Sequence, residues 1–452
     1  MTLIEKIEQA FEVSTDAFDR IATVLYREFD IDVSNLHVLD YSTAIQSLQV
    51  DLDAPSPIVL RWDDDGFYNL DWDGEGTEDS PYILRSAEDF AGMAYRINTH
   101  PEGMNVAQQN EYVAHWRTAH YRLVNNIDLR RASWLPMGAL GVRGFQGVFD
   151  GGMNQITMPP QILQSAGTSN VLQGLWAEIS AGAVVENIIL RGHVAYEAVE
   201  RTGWSYHAPL VANIASAGGA IRNIINLSSS SVRQARAAGS SYGGILGRVE
   251  SSGGLVIQNV VNYGTVTVAD ARYLAGIVGE FTTGATASRT LINCHNRGNI
   301  SATVFRNNLA QAGIGGVVGA LRLGQVNFIN CINTGTVSVG RALNTTNYSA
   351  SAFAGIIGAV YSTHVMPIGN ISRMFTRIGS AEPFAVLNIA TANIADNHWF
   401  FDENGVIVSD DEFDGREVWD VLNENNELLS EDLSENFVRF VPDADRIPSL
   451  EL

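Results

Sequence analysis

The sequence predicts an all-β fold, a parallel β-helix built from three-strand coils of about 35–40 residues each. One short phrase, Gly or Ala followed by Gly-Ile/Val-x-Gly, begins at Gly243, Ala275, Gly315 and Ala354. A second phrase carries an asparagine at Asn187, Asn223, Asn259, Asn293 and Asn330, with spacings of 36, 36, 34 and 37 residues. A period this regular is typical of a solenoid, in which each repeat stacks on the next.

Each repeat contains three short apolar segments, which in one copy are residues 244–249, 255–261 and 264–268. They are rich in Val and Ile and too short for helices, so we expect strands. Each strand should pair with its equivalent one repeat away, at about 4.8 Å. The glycines and asparagines between the segments suit tight corners, and stacked asparagine side chains would form a ladder along the coil.

The two phrases together resemble the GLUG-motif repeats of bacterial and archaeal surface proteins. Four upstream segments resemble the stretch that opens such repeats: residues 74–84, 121–129, 134–138 and 145–152. The resemblance covers roughly residues 74 to 395. It implies a right-handed β-helix and a surface or adhesive setting, and it implies no catalytic residues because the motif is a folding motif.

Residues 1–50 predict a small α-helical segment of two amphipathic helices, the first capped by Thr2 with Glu5. Their apolar faces must be buried, so we expect this segment to attach the chain to other virion or surface-assembly proteins. A homotrimer would suit a fibre, although no heptad run supports one.

Residues 51–80 form an acidic linker. Asp71, Asp73 and Glu75 alternate along it, a spacing that hard cations such as calcium favour, so a structural Ca²⁺ is one interpretation. The full twelve-residue calcium loop is absent, and a solvated acidic loop is the other interpretation. We expect no other cofactor.

Residues 81–395 are assigned to the β-helix with its cap. The cap is a predicted helix at 86–98, because a solenoid end exposes apolar core and open strand edges. The polar stretch 100–120 is interpreted as an irregular excursion. Residues 396–452 form an acidic closing segment, with a strand or two and a short helix near 416–422, which covers the far end or joins a neighbouring subunit.

The net charge of −22 argues against nucleic acid and anionic membranes as partners. No apolar stretch is long enough for membrane insertion. The first ten residues lack a signal-peptide pattern. We therefore expect a virion protein that folds in the host cell and becomes extracellular on lysis. A cell-surface protein whose export signal was removed is the alternative.

We expect no enzyme, because phosphate loops, His-Glu-x-x-His and dinucleotide fingerprints are missing, and no nucleophile elbow is recognised. Acidic residues inside the repeats are few. Asp270 and Glu280 share a repeat but flank different strands. Cys294 and Cys331 occupy equivalent positions and should be small buried thiols.

The candidate ligand-binding residues are aromatic. Tyr206, Tyr242 and Tyr273 each lie shortly before the glycine phrase or its degenerate form, so coils in register would stack their rings. Trp204, His207 and Arg272 lie nearby in the sequence. A flat apolar face with polar rims suits sugar rings. The alternative is an aromatic stack that only stiffens a turn.

These observations predict a structural, adhesive virion component, such as a phage tail fibre, spike or head-surface fibre, that binds a host cell-surface polysaccharide. A cellular surface adhesin of a bacterium or archaeon is the first alternative. A glycan-cleaving tailspike-type enzyme is the second.

Overall fold

The structure is a computed structural model that describes residues 60–138, 144–164, 170–180, 182–196, 203–215, 218–232, 239–250, 253–282, 289–305, 313–322, 326–342, 353–360, 368–377, 398–401, 406–408, 415–424, 440–442 and 448–450. The predicted helical segment 1–50 lies outside these residues.

The described strands form three stacked sheets, and pairing between successive coils is parallel. Sheet 1 contains β1 Tyr82–Leu84, β2 His120–Leu123, β3 Ile127–Asp128, β4 Val148–Thr157, β5 Gln161–Ile162, β8 Val184–Tyr196, β11 Ala220–Val232, β14 Leu255–Asn262, β15 Val266–Ala271, β18 Arg289–Asn296, β19 Ile300–Phe305, β22 Val326–Asn333, β23 Val337–Ala342, β26 Ile368–Arg377, β27 His398–Phe401 and β28 Ile407–Val408. Sheet 2 contains β6 Val171–Gln173, β9 Trp204–His207, β12 Gly239–Gly243, β16 Tyr273–Ala275, β20 Gly313–Gly315 and β24 Phe353–Ala354. Sheet 3 contains β7 Trp176–Ile179, β10 Val211–Ile214, β13 Leu246–Val249, β17 Val278–Phe281, β21 Val318–Leu321 and β25 Ile357–Val360. A separate antiparallel pair joins β29 Phe440–Pro442 to β30 Pro448–Leu450.

The parallel β-helix predicted from the repeats is confirmed, since equivalent residues lie in register from coil to coil. One interior column of sheet 1 consists of Val185, Ile221, Ile257, Leu291 and Phe328. All five side chains are fully buried. Burying an aliphatic or aromatic side chain of this size stabilises the fold by about 1.5–3 kcal/mol relative to exposure.

The glycine phrase is a corner rather than the start of a strand. The sequence predicts a strand over 244–249, but β12 ends at Gly243, residues 244–245 turn, and β13 begins at Leu246. The coil of β14 therefore has two strand segments in sheet 1, β14 and β15, and one strand in each of the other sheets. In β8 and β11 the two sheet 1 segments merge into one 13-residue strand.

An asparagine ladder runs along sheet 1, as the repeat spacing predicts. The five asparagines have φ values between 51° and 58°, a left-handed conformation that asparagine tolerates better than most residues. From Asn223 onward, each side-chain amide donates to the Oδ1 of the asparagine one coil earlier, over 2.8–3.2 Å. At the start of the ladder, Asn187 donates to Asp150 over 2.8 Å.

A second, fully buried asparagine ladder connects the corner to sheet 1. It comprises Asn226, Asn262, Asn296 and Asn333, and each of the first three amides donates to the asparagine of the next coil over 2.8–2.9 Å. A Cβ added to Gly276 would lie 2.0 Å from Asn296 Oδ1, so the second glycine of the phrase must lack a side chain. This contact explains why the two phrases occur together in one repeat.

Helix α1, Ala87–Asn98, is the predicted cap, with Ser86 as its N-cap. Phe90 is buried and stacks on Trp134, with ring centroids 5.1 Å apart, and meets Trp176 edge-on at 5.9 Å. The polar stretch that follows is not irregular as predicted, because helix α2 spans Val106–Thr118. A capping box of Asn105 and Gln108 begins it.

The acidic linker is partly built into the fold. Trp62 is buried, and its Nε1 donates to the Leu129 carbonyl over 2.9 Å. Residues 60–80 are therefore packed against the first coils rather than forming a free connector, although many of their carboxylates are exposed.

The described residues of the closing segment extend sheet 1 beyond its last repeat and also cover one side of the solenoid. β27 extends sheet 1 in parallel and β28 adds an antiparallel strand. A short helix at 418–424, α3, buries Trp419 and Leu422 against Val261 and Ile332, which lie on the outer face of sheet 1. The Leu422 carbonyl accepts a hydrogen bond from Asn330 over 3.3 Å.

Both cysteines, Cys294 and Cys331, are buried free thiols, as predicted. Burial raises the pKa of the Cys294 thiol well above its ordinary value. Among the described residues, no helix is long and apolar enough to cross a membrane.

Candidate functional site

Four of the six predicted ligand-binding residues meet at the corner between sheets 2 and 3. Ser241 is in register with Tyr206 on one side and with Tyr273 on the other, so the two tyrosines share one column two coils apart. The indole of Trp204 is nearly parallel to both phenol rings, with its centroid 6.4 Å from each. Both tyrosines are buried, whereas Trp204 is half-buried and offers part of its ring to solvent.

His207 and Tyr242 do not belong to this surface, so the prediction that they bind the ligand together with the other four residues is wrong. The two are in register one column away, and successive residues of a strand point to opposite faces. Tyr242 lies in the hydrophobic core, and the His207 imidazole stacks on its ring at 4.6 Å. Burial lowers the pKa of His207 to about 3, so the imidazole is neutral.

Three arginines surround the aromatic group, and only Arg272 was predicted from the sequence as a ligand-binding residue. The Cζ atom of Arg272 lies 4.6 Å from the Trp204 ring and 5.2 Å from the Tyr273 ring. Arg322 approaches the Trp204 ring at 5.5 Å, and Arg248 lies 4.8 Å from the Tyr206 ring. We call these three arginines with Trp204, Tyr206, Tyr273 and Glu280 the corner cluster. Cation–π contacts at these distances hold guanidinium groups in place.

Glu280 is the buried carboxylate of the corner cluster. It is 0% exposed and lies in register with Arg248 on the neighbouring coil. Its ion pairs with Arg248 and Arg322 measure 3.6 Å and 3.7 Å, longer than a hydrogen bond. Burial raises the pKa of Glu280 to about 7, against the opposing effect of the arginines.

A sequence signal for Glu280 and Arg248 was available. Both follow the last glycine of the phrase directly, in Gly-Gly-Ile-Leu-Gly-Arg248 and Ala-Gly-Ile-Val-Gly-Glu280. Because repeats stack in register, opposite charges at one repeat position predict an ion pair between coils. Arg248 also pairs with Glu250 over 2.9 Å at the edge of the cluster.

One Gly-x-Ser-x-Gly sequence does occur, at residues 239–243. It forms strand β12 rather than a strand-to-helix elbow. Ser241 is fully buried, and its hydroxyl donates to the Gly247 carbonyl over 2.6 Å. His207 lies on the opposite face of the sheet, so it cannot activate this hydroxyl. This segment is structural.

The three predicted calcium ligands are not assembled into a site. Asp71, Asp73 and Glu75 are exposed, and Asp73 instead pairs with Arg85 over 2.6 Å. Throughout the part of the chain that the structure describes, no group of three or more His, Cys, Asp or Glu side chains could hold a metal ion.

The corner cluster can therefore offer a ligand a flat apolar ring bordered by hydrogen-bond donors. Trp204 and the three arginines are its half-buried members, while the buried rings of Tyr206 and Tyr273 pack beside the indole. A ring platform with polar edges suits a sugar, whose faces are apolar C–H surfaces and whose rims carry hydroxyls.

No family model matches the chain, and no curated protein matches it. Among solved structures, it is similar to a crystal structure from Bacteroides ovatus described as a "putative immunoglobulin A1 protease". The two share 14% identity with a TM-score of 0.45, and the match covers 84% of this chain and 94% of that one. At this level of similarity, neither the fold nor the chemistry of the corner cluster is inferred from the match.

Proposed function

We propose that the chain is a structural, adhesive component of a virion, a phage tail fibre, spike or head-surface fibre, that binds a host cell-surface glycan at the corner cluster. The observation that supports binding is the half-buried indole of Trp204 with Arg272 and Arg322 over it. The resemblance to GLUG-motif repeats supports the adhesive setting.

The position of the corner cluster supports a recognition role. Its residues lie on or directly beside the short strands of sheets 2 and 3, which are fixed by pairing to the coils above and below. A site on rigid elements binds with little loss of conformational entropy.

The test compares binding of host polysaccharide oligosaccharides to the full chain and to Trp204→Ala by calorimetry. Loss of the indole should weaken binding about tenfold or more, which corresponds to ~1.4 kcal/mol. Tyr263→Ala is the matched control, because Tyr263 is 37% exposed and also carries an arginine, Arg297, 4.8 Å from its ring. The control should bind like the parent chain.

Equal binding by Trp204→Ala and the parent chain would remove the corner cluster as the glycan site. Equal loss in both variants would point to a general surface effect. Absence of glycan binding altogether would overturn the proposal.

Two alternatives have separate tests. A cellular surface adhesin differs from a virion part in its gene neighbours, which would encode a secretion system and anchor instead of capsid and tail proteins. A glycan-cleaving enzyme would release new reducing ends or unsaturated sugars from the same polysaccharide. Neither product is expected from a binding protein.

A further inference from the structure

The chain contains five Asn-x-Ser/Thr sequences with a residue other than proline in the middle, and they begin at Asn226, Asn299, Asn344, Asn347 and Asn370. This tripeptide is the acceptor sequence for N-linked glycosylation, a modification of protein surfaces. Asn344 and Asn347 lie outside the described residues, and Asn370 belongs to β26. Asn226 and Asn299 lie in adjacent, well described coils, and they differ completely in burial.

Asn299 has the geometry of an acceptor. It is exposed and lies in the turn between β18 and β19. The backbone N–H of Thr336, one coil further on, donates to the Asn299 Oδ1 over 3.2 Å. Because a backbone N–H can only donate, this contact identifies the oxygen and leaves Nδ2, the atom that would carry a sugar, at the other end of the amide. No group among the described residues accepts a hydrogen bond from this Nδ2.

The hydroxyl that completes the tripeptide lies on the same face of the solenoid. Ile300, between the two polar residues, is fully buried in the core, so the side chains of Asn299 and Ser301 on either side of it point outward. The Ser301 hydroxyl donates to the Thr267 hydroxyl of the preceding coil over 3.2 Å, and this contact is at the surface. The amide and the hydroxyl are therefore both accessible to an enzyme.

Asn226 shows the opposite arrangement on the same chain. Its side chain is 0% exposed, and its Nδ2 donates to the Ser228 carbonyl, the Gly244 carbonyl and Asn262 Oδ1 over 3.2, 2.9 and 2.8 Å. A sugar on Nδ2 would replace one of its two hydrogens and would have to occupy the packed corner. A chain modified at Asn226 therefore cannot form the second asparagine ladder.

We propose that Asn299 is the acceptor of an N-linked glycan that is attached after the chain has folded. The order follows from Asn226, because a transferase acting on the unfolded chain would also meet that asparagine and would prevent folding. A sugar on Asn299 leaves Oδ1 unchanged, so the hydrogen bond from Thr336 remains. The proposal does not depend on ligand binding at the corner cluster.

The sugar donor is a glycosyl diphosphate, carried on a lipid or on a nucleotide. The Asn299 Nδ2 forms a bond to the anomeric carbon of the sugar, while the bond between that carbon and the diphosphate oxygen breaks. The proton that Nδ2 loses passes to the transferase, and the diphosphate departs on its carrier. No oxidant or reductant is needed.

The test is site-by-site peptide mass spectrometry of the full chain isolated from its natural source. The Asn299 peptide should carry a sugar in most copies, and the Asn226 peptide should carry none. To identify the donor, unmodified folded chain from a host without N-glycosylation is incubated with washed membranes of the natural source, which supply lipid-linked donors. A parallel incubation uses the soluble fraction of that source with added nucleotide sugars. The fraction that modifies Asn299 identifies the carrier.

Two substitutions of Ser301 test whether the tripeptide is what the transferase recognises. Ser301→Ala should abolish modification of Asn299, whereas Ser301→Thr should retain it. Thr303→Ala is the matched control, because Thr303 is an exposed residue of the same strand outside the tripeptide, and it should be modified like the parent chain. Circular dichroism and a urea titration verify that each variant is folded.

An Asn299 peptide without sugar in the natural protein would overturn the proposal. Modification that persists in Ser301→Ala would also overturn it, since the Asn-x-Ser sequence would then play no part. If the natural protein carries the sugar but neither fraction modifies the folded chain, attachment precedes folding and the proposed order is wrong.

Discussion

The asparagine near the centre of each repeat meets two demands at once. Its backbone adopts a left-handed conformation, with φ near 53° in three consecutive coils, where a β-carbon is strained and asparagine is among the best tolerated residues. Its side chain both donates and accepts within the ladder, so a buried amide has its partners above and below. No other residue type combines both properties as well.

At Asn259, alanine should destabilise the fold more than glycine does, which is the reverse of the usual order within a strand. Asn259→Ala loses two ladder hydrogen bonds and leaves a β-carbon at positive φ without the polar side chain that makes this conformation tolerable. It should lower the free energy of unfolding by about 3 kcal/mol. Asn259→Gly loses the same bonds without the strain and should cost about 2 kcal/mol. Urea unfolding of both variants measures the difference. A larger loss for glycine than for alanine would mean that strain contributes nothing here.

Glu280 should make stability depend on pH. The carboxyl group has an ordinary pKa of 4.5 in the unfolded chain, and burial raises it to about 7 in the folded one. Between these values the folded chain holds a proton that the unfolded chain has released. The stabilisation is therefore complete below pH 4.5 and is lost as pH rises through 7.

Glu280→Gln should remove this dependence. Relative to the parent chain, the variant should gain about 3 kcal/mol on going from pH 4.5 to pH 8, from ~1.4 kcal/mol per pKa unit. Urea midpoints at both pH values measure it, with Glu250→Gln as a control that removes a surface partner of Arg248. A difference between parent and Glu280→Gln that stays constant with pH would show that folding does not raise the pKa of Glu280.

For single residues, part of the candidate site could be predicted from the sequence. Trp204, Tyr206, Tyr273 and Arg272 meet because equivalent positions stack. Tyr206 and Tyr273 lie three residues before Pro209 and Gly276, which occupy the position of the second glycine in the phrase. Tyr242 lies only two residues before the equivalent Gly244. On a strand an odd difference reverses the face, so this offset already excluded Tyr242 from the shared surface. The depth of the tyrosines could not be predicted, because it depends on the angle between sheets 2 and 3.

At the scale of elements, the corner phrase and the second asparagine ladder act as one unit. Each corner has its second glycine against the buried asparagine, as with Gly276 and Asn296 or Gly316 and Asn333. The asparagine in turn donates to the carbonyl two residues ahead, closing the bend in sheet 1. Three sheets thus meet around one amide.

Gly244→Ala should disrupt this unit, because the added methyl would lie 2.1 Å from the Gly276 carbonyl oxygen and 2.9 Å from Asn262 Cγ. We expect a loss of about 2–3 kcal/mol in the free energy of unfolding. Ala275→Gly is the control, since it changes the first residue of the same phrase one coil further on without adding a methyl group. It should cost under about 1 kcal/mol. Similar losses in both variants would remove the special role of the second glycine.

The elements outside the repeats were harder to predict, for physical reasons. Helix α2 has few apolar residues and buries mainly Val113 and Arg117, so it lacks the periodic stripe that marks an amphipathic helix. Its start was readable in the capping box of Asn105 and Gln108. Helix α3 was predicted, but its docking on the flank depends on Val261 and Ile332, which become neighbours only after the coils stack.

At the scale of the molecule, a single hydrophobic core runs from Trp62 beneath the cap to Ile357 in β25. Each coil contacts the coil before it and the coil after it, as the pairing order of sheets 2 and 3 demonstrates. The stability of such an arrangement is approximately the sum of the intrinsic stability of each coil and the interaction energies between adjacent coils. A destabilising substitution in one coil should therefore affect only that coil and its near neighbours along the solenoid axis.

Hydrogen exchange in the Asn259→Ala variant tests this locality. Amides in β11, β14 and β18 should lose protection, by a factor of about 100 for a ~3 kcal/mol local opening, because these strands pair with the altered coil or contain it. Amides of α1, which packs on Trp134 and Trp176 several coils away, should exchange at the parent rate. Asn187→Ala should move the affected region toward β4 and β8. A uniform loss of protection from α1 to β22 would mean that the solenoid opens as one cooperative unit, and the additive description of its coils would be wrong.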